Sequence, residues 1–216
     1  MSNDIFKPAL RLSSLNQVYD FLTIWFFRHS SFYKAFLEVG KNLRTQPNSQ
    51  LLELGCGPAR LAIRIKKKFP RARITAVDRD PAILQLARKN AKAAKVTIDF
   101  KEQDISNLSL KGPYDRIYST LAFHHLSIPA KERTIKSVSR LLKDDGQFVL
   151  ADFCGSSGLM DRLQFLLVQL VDGFDTTSSH AQGWLESSLP KYFSRVETKL
   201  KVSTLLGPVG VFVCHP

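Results

Sequence analysis

Leu51-Leu-Glu-Leu-Gly-Cys-Gly-Pro-Ala59 is an apolar run that passes into a glycine turn, and Asp78 closes the next apolar run at residues 74–77. The pattern predicts a strand, a tight turn opening a helix, and a second strand ending on a carboxylate, which is a nucleotide-binding βαβ unit. Gly55 and Gly57 let the backbone turn sharply and put no Cβ between it and a ligand. A carboxylate at the second strand end is placed to accept from both hydroxyls of a ribose.

Two departures from a dinucleotide fingerprint narrow the ligand. The sixth position of the glycine pattern is Arg60, whose bulk obstructs the close helix–strand packing that a pyrophosphate site needs. Glu53, two residues before the first glycine, puts an acid where phosphate would be repelled and an ammonium or sulfonium ligand favoured. Together they favour S-adenosylmethionine over NAD.

Outward from this unit, apolar runs alternate with segments of helical period. Leu61, Ala62, Ile65 and Phe69 mark one helix face, and Ile83, Leu84, Ala87 and Ala91 mark the next. Asp80 is suited to cap the second helix and Pro81 to its first position. Strand-like runs at 96–100, 114–118 and 147–151, with a helix at 131–142, extend the βαβα alternation to a parallel sheet covered on both faces. Residues 159–171 read as an apolar helix, and 195–202 and 209–214 as two closing strands with a turn at Gly207 and Pro208. Residues 19–36 hold eight of the 22 aromatic side chains and read as amphipathic helix. The expected organisation is one domain, with a helical N-terminal cap at 1–45, a cofactor-binding core at 46–152, and a helical insertion with closing strands at 153–216.

Composition excludes several classes. With 216 residues, 44% hydrophobic and 23% charged, the chain fits one folded core and no disordered, collagen-like or coiled-coil class. Cys56, Cys154 and Cys214 lie too far apart for a disulfide framework or a zinc spacing. No apolar run approaches the roughly 20 residues of a membrane span, and the first 15 residues lack a signal-peptide core, so the expected location is the cytoplasm. The net charge is +12, and residues 60–101 concentrate it, with 13 Lys and Arg against three Asp. Arg60, Arg64, Lys67, Lys68 and Arg71 recur at helical spacing, as do Arg88, Lys92 and Lys95. Such a face is either simply solvated or suited to an anionic membrane surface or polyanion.

Glu53 to Pro58, Asp78, Glu102-Gln-Asp-Ile105, Tyr114-Asp-Arg-Ile-Tyr-Ser-Thr120 and Phe123-His-His-Leu126 together resemble class I S-adenosylmethionine-dependent methyltransferases, in particular the small-molecule group similar to ubiquinone and menaquinone C-methyltransferases. The resemblance implies a Rossmann-like fold, doubly wound with a mostly parallel seven-stranded sheet. It implies a methyl transfer to a small acceptor with S-adenosyl-L-homocysteine as product. Gly55, Cys56 and Gly57 would pass under the methionine part and ribose, and Glu53 would lie near the ammonium group. Asp78 would hold the ribose hydroxyls and Arg79 would flank the adenine, which Asp104 and the Ile105 N–H would read by hydrogen bonds. Ser119 and Thr120 would lie beside the methionine moiety, and Tyr19 is the candidate lid. Ala59 stands where the family has a third glycine.

His124 and His125, after the fourth strand, are candidates to orient a nucleophile or take its proton, or to bond backbone at a helix start. Asp152 at the fifth strand end and His180 are further candidates. Asp104 has a competing reading as an ordinary turn residue. Two other functions remain open on sequence alone, a basic RNA-binding or RNA-modifying protein and a non-catalytic cofactor-binding scaffold.

Overall fold

The computed structural model describes residues 31–43, 46–155 and 158–216. Seven strands form one sheet: β1 (Gln50–Leu54), β2 (Arg73–Asp78), β3 (Asp99–Glu102), β4 (Tyr114–Thr120), β5 (Leu142–Phe153), β6 (Arg195–Thr204) and β7 (Gly207–His215). Their order is β3-β2-β1-β4-β5-β7-β6, parallel except for β7, which runs antiparallel to both neighbours. The doubly wound, mostly parallel seven-stranded sheet expected from the sequence is present.

Among the described residues the α-helices are α1 (Ser31–Asn42), α2 (Arg60–Lys68), α3 (Pro81–Ala93), α4 (Ile128–Leu141), α5 (Leu159–Asp172), α6 (Phe174–Ala181) and α7 (Trp184–Ser188). The period-2 alternation of the strands divides the core into two clusters. Leu51, Tyr118, Val149 and Ala151 face Ala35 and Val39 of α1, Leu61 and Ile65 of α2, and Leu84 and Ala87 of α3. Leu52, Leu54, Ile117, Phe148 and Leu150 face Ile135 and Val138 of α4 together with Leu185 and Leu189. Each fully buried Leu or Ile contributes about 2 kcal/mol by leaving water.

The helix face expected at Leu61, Ala62 and Ile65 is buried, as is that at Ile83, Leu84, Ala87 and Ala91. Asp80 caps α3 as its sequence indicates. Its Oδ1 accepts from the N–H groups of Ala82 at 2.8 Å and Ile83 at 3.3 Å, with Pro81 following at the first position. The closing hairpin turns earlier than the Gly-Pro pair suggests, at residues 205–206, and Gly207 opens β7 with φ +106° against the Phe165 ring. α6 and α7 carry no strong apolar period and follow the apolar helix expected at 159–171. The aromatic segment falls partly on α1, and its residues 19–30, Tyr19 among them, lie outside the described residues.

Candidate functional site

The parallel strands all point their carboxyl ends to one edge of the sheet, and loop hydrogen bonds tie those ends together. The Cys56 N–H donates to Val77 O at 2.9 Å, the Gln103 N–H to Asp78 O at 3.0 Å, and the Leu121 N–H to Ala151 O at 2.8 Å. The edge therefore gathers Glu53, the glycine turn, Asp78, Asp104, Thr120 and Asp152, residues spread over a hundred positions of sequence. In open α/β sheets this edge is where ligands bind.

The two glycines of the turn differ. Gly55 has φ +67°, and a Cβ there would stand 2.4 Å from the Ala122 Cβ, so glycine is demanded by packing. Gly57 has φ +51°, but a Cβ on it would meet nothing within 4 Å. The second glycine faces open space, as a backbone cradle for a ligand would. Ala59, at the family's third glycine, also adopts left-handed backbone, φ 59°, and Asn90 of α3 steadies the turn by donating from Nδ2 to Pro58 O at 3.1 Å.

Two acids bracket the turn. Asp78 accepts from the Gly57 N–H at 2.8 Å and the Asp80 N–H at 3.1 Å. Its pKa is nevertheless raised, because burial outweighs those bonds. Glu53 is 3% exposed, its Oε2 has no hydrogen-bond partner, and burial holds its pKa well above the carboxylate range, with the Asp78 charge pushing the same way. The buried Tyr118 hydroxyl lies beside the Glu53 carboxyl, and the Thr120 hydroxyl is buried without a partner. A buried acid, a half-buried one and orphaned oxygens beside an open cradle fit a polar ligand that brings positive charge.

The remaining candidates take varied positions. Cys56 is buried with its thiol 3.6 Å from Gly57 O, and burial pushes its pKa upward, which suits a small loop residue. Asp104 forms an Asx turn, accepting from the Ser106 N–H at 2.8 Å, and its other oxygen lies 3.4 Å from Arg79 Nη1. Ile105 is buried in the core. The Ser119 hydroxyl donates to Leu54 O at 2.9 Å across the β1–β4 register, so it braces the sheet. Thr120, one residue on, is the one with an uncommitted hydroxyl oxygen.

A second group of polar side chains lies beyond β4 and β5. His124, in the 3-10 turn Phe123–His125, brings Nδ1 to 2.8 Å from Asp152 Oδ1, and the ring of the exposed His125 lies tilted against its own with centroids 4.0 Å apart. Lys131 of α4 is fully buried, donating to Thr176 O and Ser179 Oγ, both at 2.7 Å, and burial lowers its pKa to about 8. Its signal in the sequence is a lysine on the helix stripe shared with Thr134, Ile135 and Val138. His180 of α6 is buried too, with Nδ1 donating to Phe153 O at 2.7 Å. Its other nitrogen, Nε2, has no partner.

Burial pushes the His180 pKa down to about 4, whereas an unfolded histidine titrates near 6.5. Between those values the unfolded chain binds the proton that the folded chain refuses, so stability falls as pH drops from about 6.5 towards 4. His180→Phe is expected to flatten that fall in urea midpoints measured at pH 7, 6, 5 and 4.5. Equal slopes in both proteins would assign the acid sensitivity elsewhere.

Comparison with known proteins gives this geometry a context. Residues 51–146 match the methyltransferase domain family. The chain is 32% identical over 139 residues to malonyl-[acyl-carrier protein] O-methyltransferase of Priestia megaterium, covering 59% of this chain and 49% of that protein. It is 29% identical over 121 residues to demethylmenaquinone methyltransferase of Thermus thermophilus, covering 54% of each. The chain thus spans about half the length of these curated relatives. In fold it is similar to the YcgJ protein of Bacillus subtilis, with a TM-score of 0.66 and 20% identity over 79% of this chain and 72% of that one. The matches support the methyltransferase reading and do not favour the RNA-binding alternative.

Proposed function

We propose, on the premise that residues 51–146 form a class I methyltransferase domain, that the protein is an S-adenosylmethionine-dependent methyltransferase acting on a small-molecule acceptor. The observation that carries this reading is the open cradle at Gly57 between the buried Glu53 and the half-buried Asp78, both of raised pKa, a setting that favours a cationic, ribose-bearing ligand. Gly55 and Gly57 carry the ligand's methionine part and ribose, Glu53 and Thr120 flank the amino-acid end, and Asp78 accepts from the ribose hydroxyls. Asp104 and the Ile105 N–H read the adenine, with Arg79 beside it. The bound cofactor supplies an electrophilic methyl group on a sulfonium centre. The chain's task is to align the acceptor with that methyl and exclude water, which requires orientation more than acid–base machinery.

S-adenosylhomocysteine at about a hundred times its Kd is expected to stabilise the fold by about 2.7 kcal/mol and raise Tm by several degrees, with no rise for NAD. A Tm that S-adenosylhomocysteine leaves unmoved would remove the cofactor from the account.

The basic face of α2 and α3 is proposed to hold the protein against a polyanionic surface. Arg64, Lys67, Lys68, Arg71, Arg88, Lys89, Lys92 and Lys95 are exposed, and residues 60–77 and 81–98 contain no acid. Reversing Lys67, Lys68, Lys89 and Lys92 to Glu is expected to lower the NaCl needed for elution from heparin by on the order of 0.1 M. Unchanged elution would mark the face as merely solvated. Among the described residues no helix is long and apolar enough to cross a membrane.

A further inference from the structure

Two exposed features that the cofactor site leaves unused lie on one face of the sheet. Leu51, Tyr118, Val149 and Ala151 turn their side chains to the face that α1, α2 and α3 cover, and Phe165 of α5 joins the same cluster. α5 is tied there to the closing hairpin: the Ser203 hydroxyl donates to Asp161 Oδ1 at 3.0 Å, and Phe165 packs against the backbone at Gly207. With Asp161 and Phe165 turned inward, Leu159, Leu163 and Leu166 are turned outward, 75%, 54% and 39% exposed, and the exposed Arg162 lies among them. Leu205, also exposed, stands at the hairpin tip beside this helix. The i, i+4, i+7 spacing sets the three leucines in one stripe. A single exposed leucine is ordinary, but adjacent ones in a stripe mark a contact surface.

The charge on this face identifies the partner. The exposed cations of α2 and α3 stand on the same side of the sheet as the leucine stripe, and α1, packed on β5, β6 and β7, adds the exposed Lys34. The acids of α1 and α5 whose side chains are described are engaged within the protein: Glu38 accepts from Asn42 Nδ2 and pairs with Lys41, and Asp161 accepts from Ser203. We infer that this face docks on an anionic lipid bilayer, with the cations of α2 and α3 against the headgroups and Leu159, Leu163 and Leu166 in the acyl boundary. The inference rests on the polyanion reading of the basic face given above and commits it to lipid. A nucleic acid has no place for the leucines, and α2 and α3 contain no aromatic residue on which a base could stack. A second copy of the chain would bring like charge to the same face and be repelled. α5 follows the carboxyl end of β5, so docking holds the ligand-binding edge next to the bilayer.

The test uses the full chain with vesicles of phosphatidylcholine and of an equimolar mixture with phosphatidylglycerol. Cosedimentation is expected with the mixed vesicles and not with phosphatidylcholine alone. Reversing Lys67, Lys68, Lys89 and Lys92 to Glu is expected to weaken that binding by on the order of 10²-fold or more, and Leu159→Asn with Leu163→Asn and Leu166→Asn by about tenfold or more, each variant being folded by circular dichroism. The native cysteines are buried, so Leu163→Cys can be labelled selectively with nitrobenzoxadiazole, with the exposed Lys136→Cys of α4, on the other face of the sheet, as control. Mixed vesicles are expected to brighten the Leu163→Cys label and shift its emission to the blue, and to leave the control unchanged. Binding to phosphatidylcholine alone, or undiminished binding by the leucine variant, would overturn the inference. So would a Leu163→Cys label already blue-shifted in buffer, which would put residues 1–30 or a second copy over the stripe. Lysine-dependent retention on heparin, or binding of duplex RNA, by a protein that leaves the mixed vesicles unbound would overturn the commitment to lipid and keep the polyanion reading. Heparin elution that ignores the four lysines would show that the underlying reading had failed, and the inference with it.

Discussion

Gly55→Ala is expected to destabilise the fold by about 2–5 kcal/mol, a large share of the 5–15 kcal/mol that separates most native domains from the unfolded chain. Two effects add. The residue sits at φ +67°, where an L side chain costs about 1–2 kcal/mol, and the new Cβ would lie 2.4 Å from the Ala122 Cβ, an overlap that forces the loop after β4 to move at about 1–3 kcal/mol. Gly57→Ala is the control. Its φ of +51° carries the same backbone cost, but the added methyl meets no atom of the protein, so the fold should lose only about 1–2 kcal/mol. Its larger effect should be on cofactor affinity, because the methyl enters the space assigned to the ligand. Urea unfolding of both variants beside wild type separates the cases. Equal losses of stability would contradict the division of labour between the two glycines.

Asp78→Ala is expected to weaken S-adenosylmethionine binding about thirtyfold, on the order of 2 kcal/mol, through loss of charge-assisted hydrogen bonds to the ribose. The same carboxylate holds the Gly57 and Asp80 N–H groups, so part of the loss should come from a looser glycine turn. Asp78→Asn distinguishes the two contributions, since its carbonyl oxygen can still accept one backbone N–H while the charge is gone. An intermediate affinity for Asp78→Asn is the expected result. A folded Asp78→Ala that binds as tightly as wild type would place the ribose elsewhere.

What the sequence made legible was what is local. The strand–turn–helix around Gly55 follows from residues within ten positions of one another, and the Asp80–Pro81 cap is a two-residue signal, so both could be read without a structure. The buried faces of α2 and α3 follow from apolar spacing alone. By contrast, α6 runs Phe-Asp-Thr-Thr-Ser-Ser-His-Ala with no apolar period. Tertiary bonds support it, since Lys131 reaches Thr176 O and Ser179 Oγ, and His180 bonds Phe153 O. The His124–Asp152 pair joins residues 28 positions apart, and only the β4–β5 register brings them together. Ser119 and Thr120 are equivalent in a strand-end motif, but strand alternation turns the Ser119 hydroxyl onto Leu54 O, a distinction that depends on which neighbour each face meets.

Calorimetric titration of S-adenosylmethionine into the purified protein, with S-adenosylhomocysteine and NAD as parallel ligands, tests the central claim most directly. The account expects one site of micromolar affinity, about −8 kcal/mol, for the first two ligands and no heat for NAD. Binding of NAD, or no binding of S-adenosylmethionine by a protein shown to be folded, would contradict it.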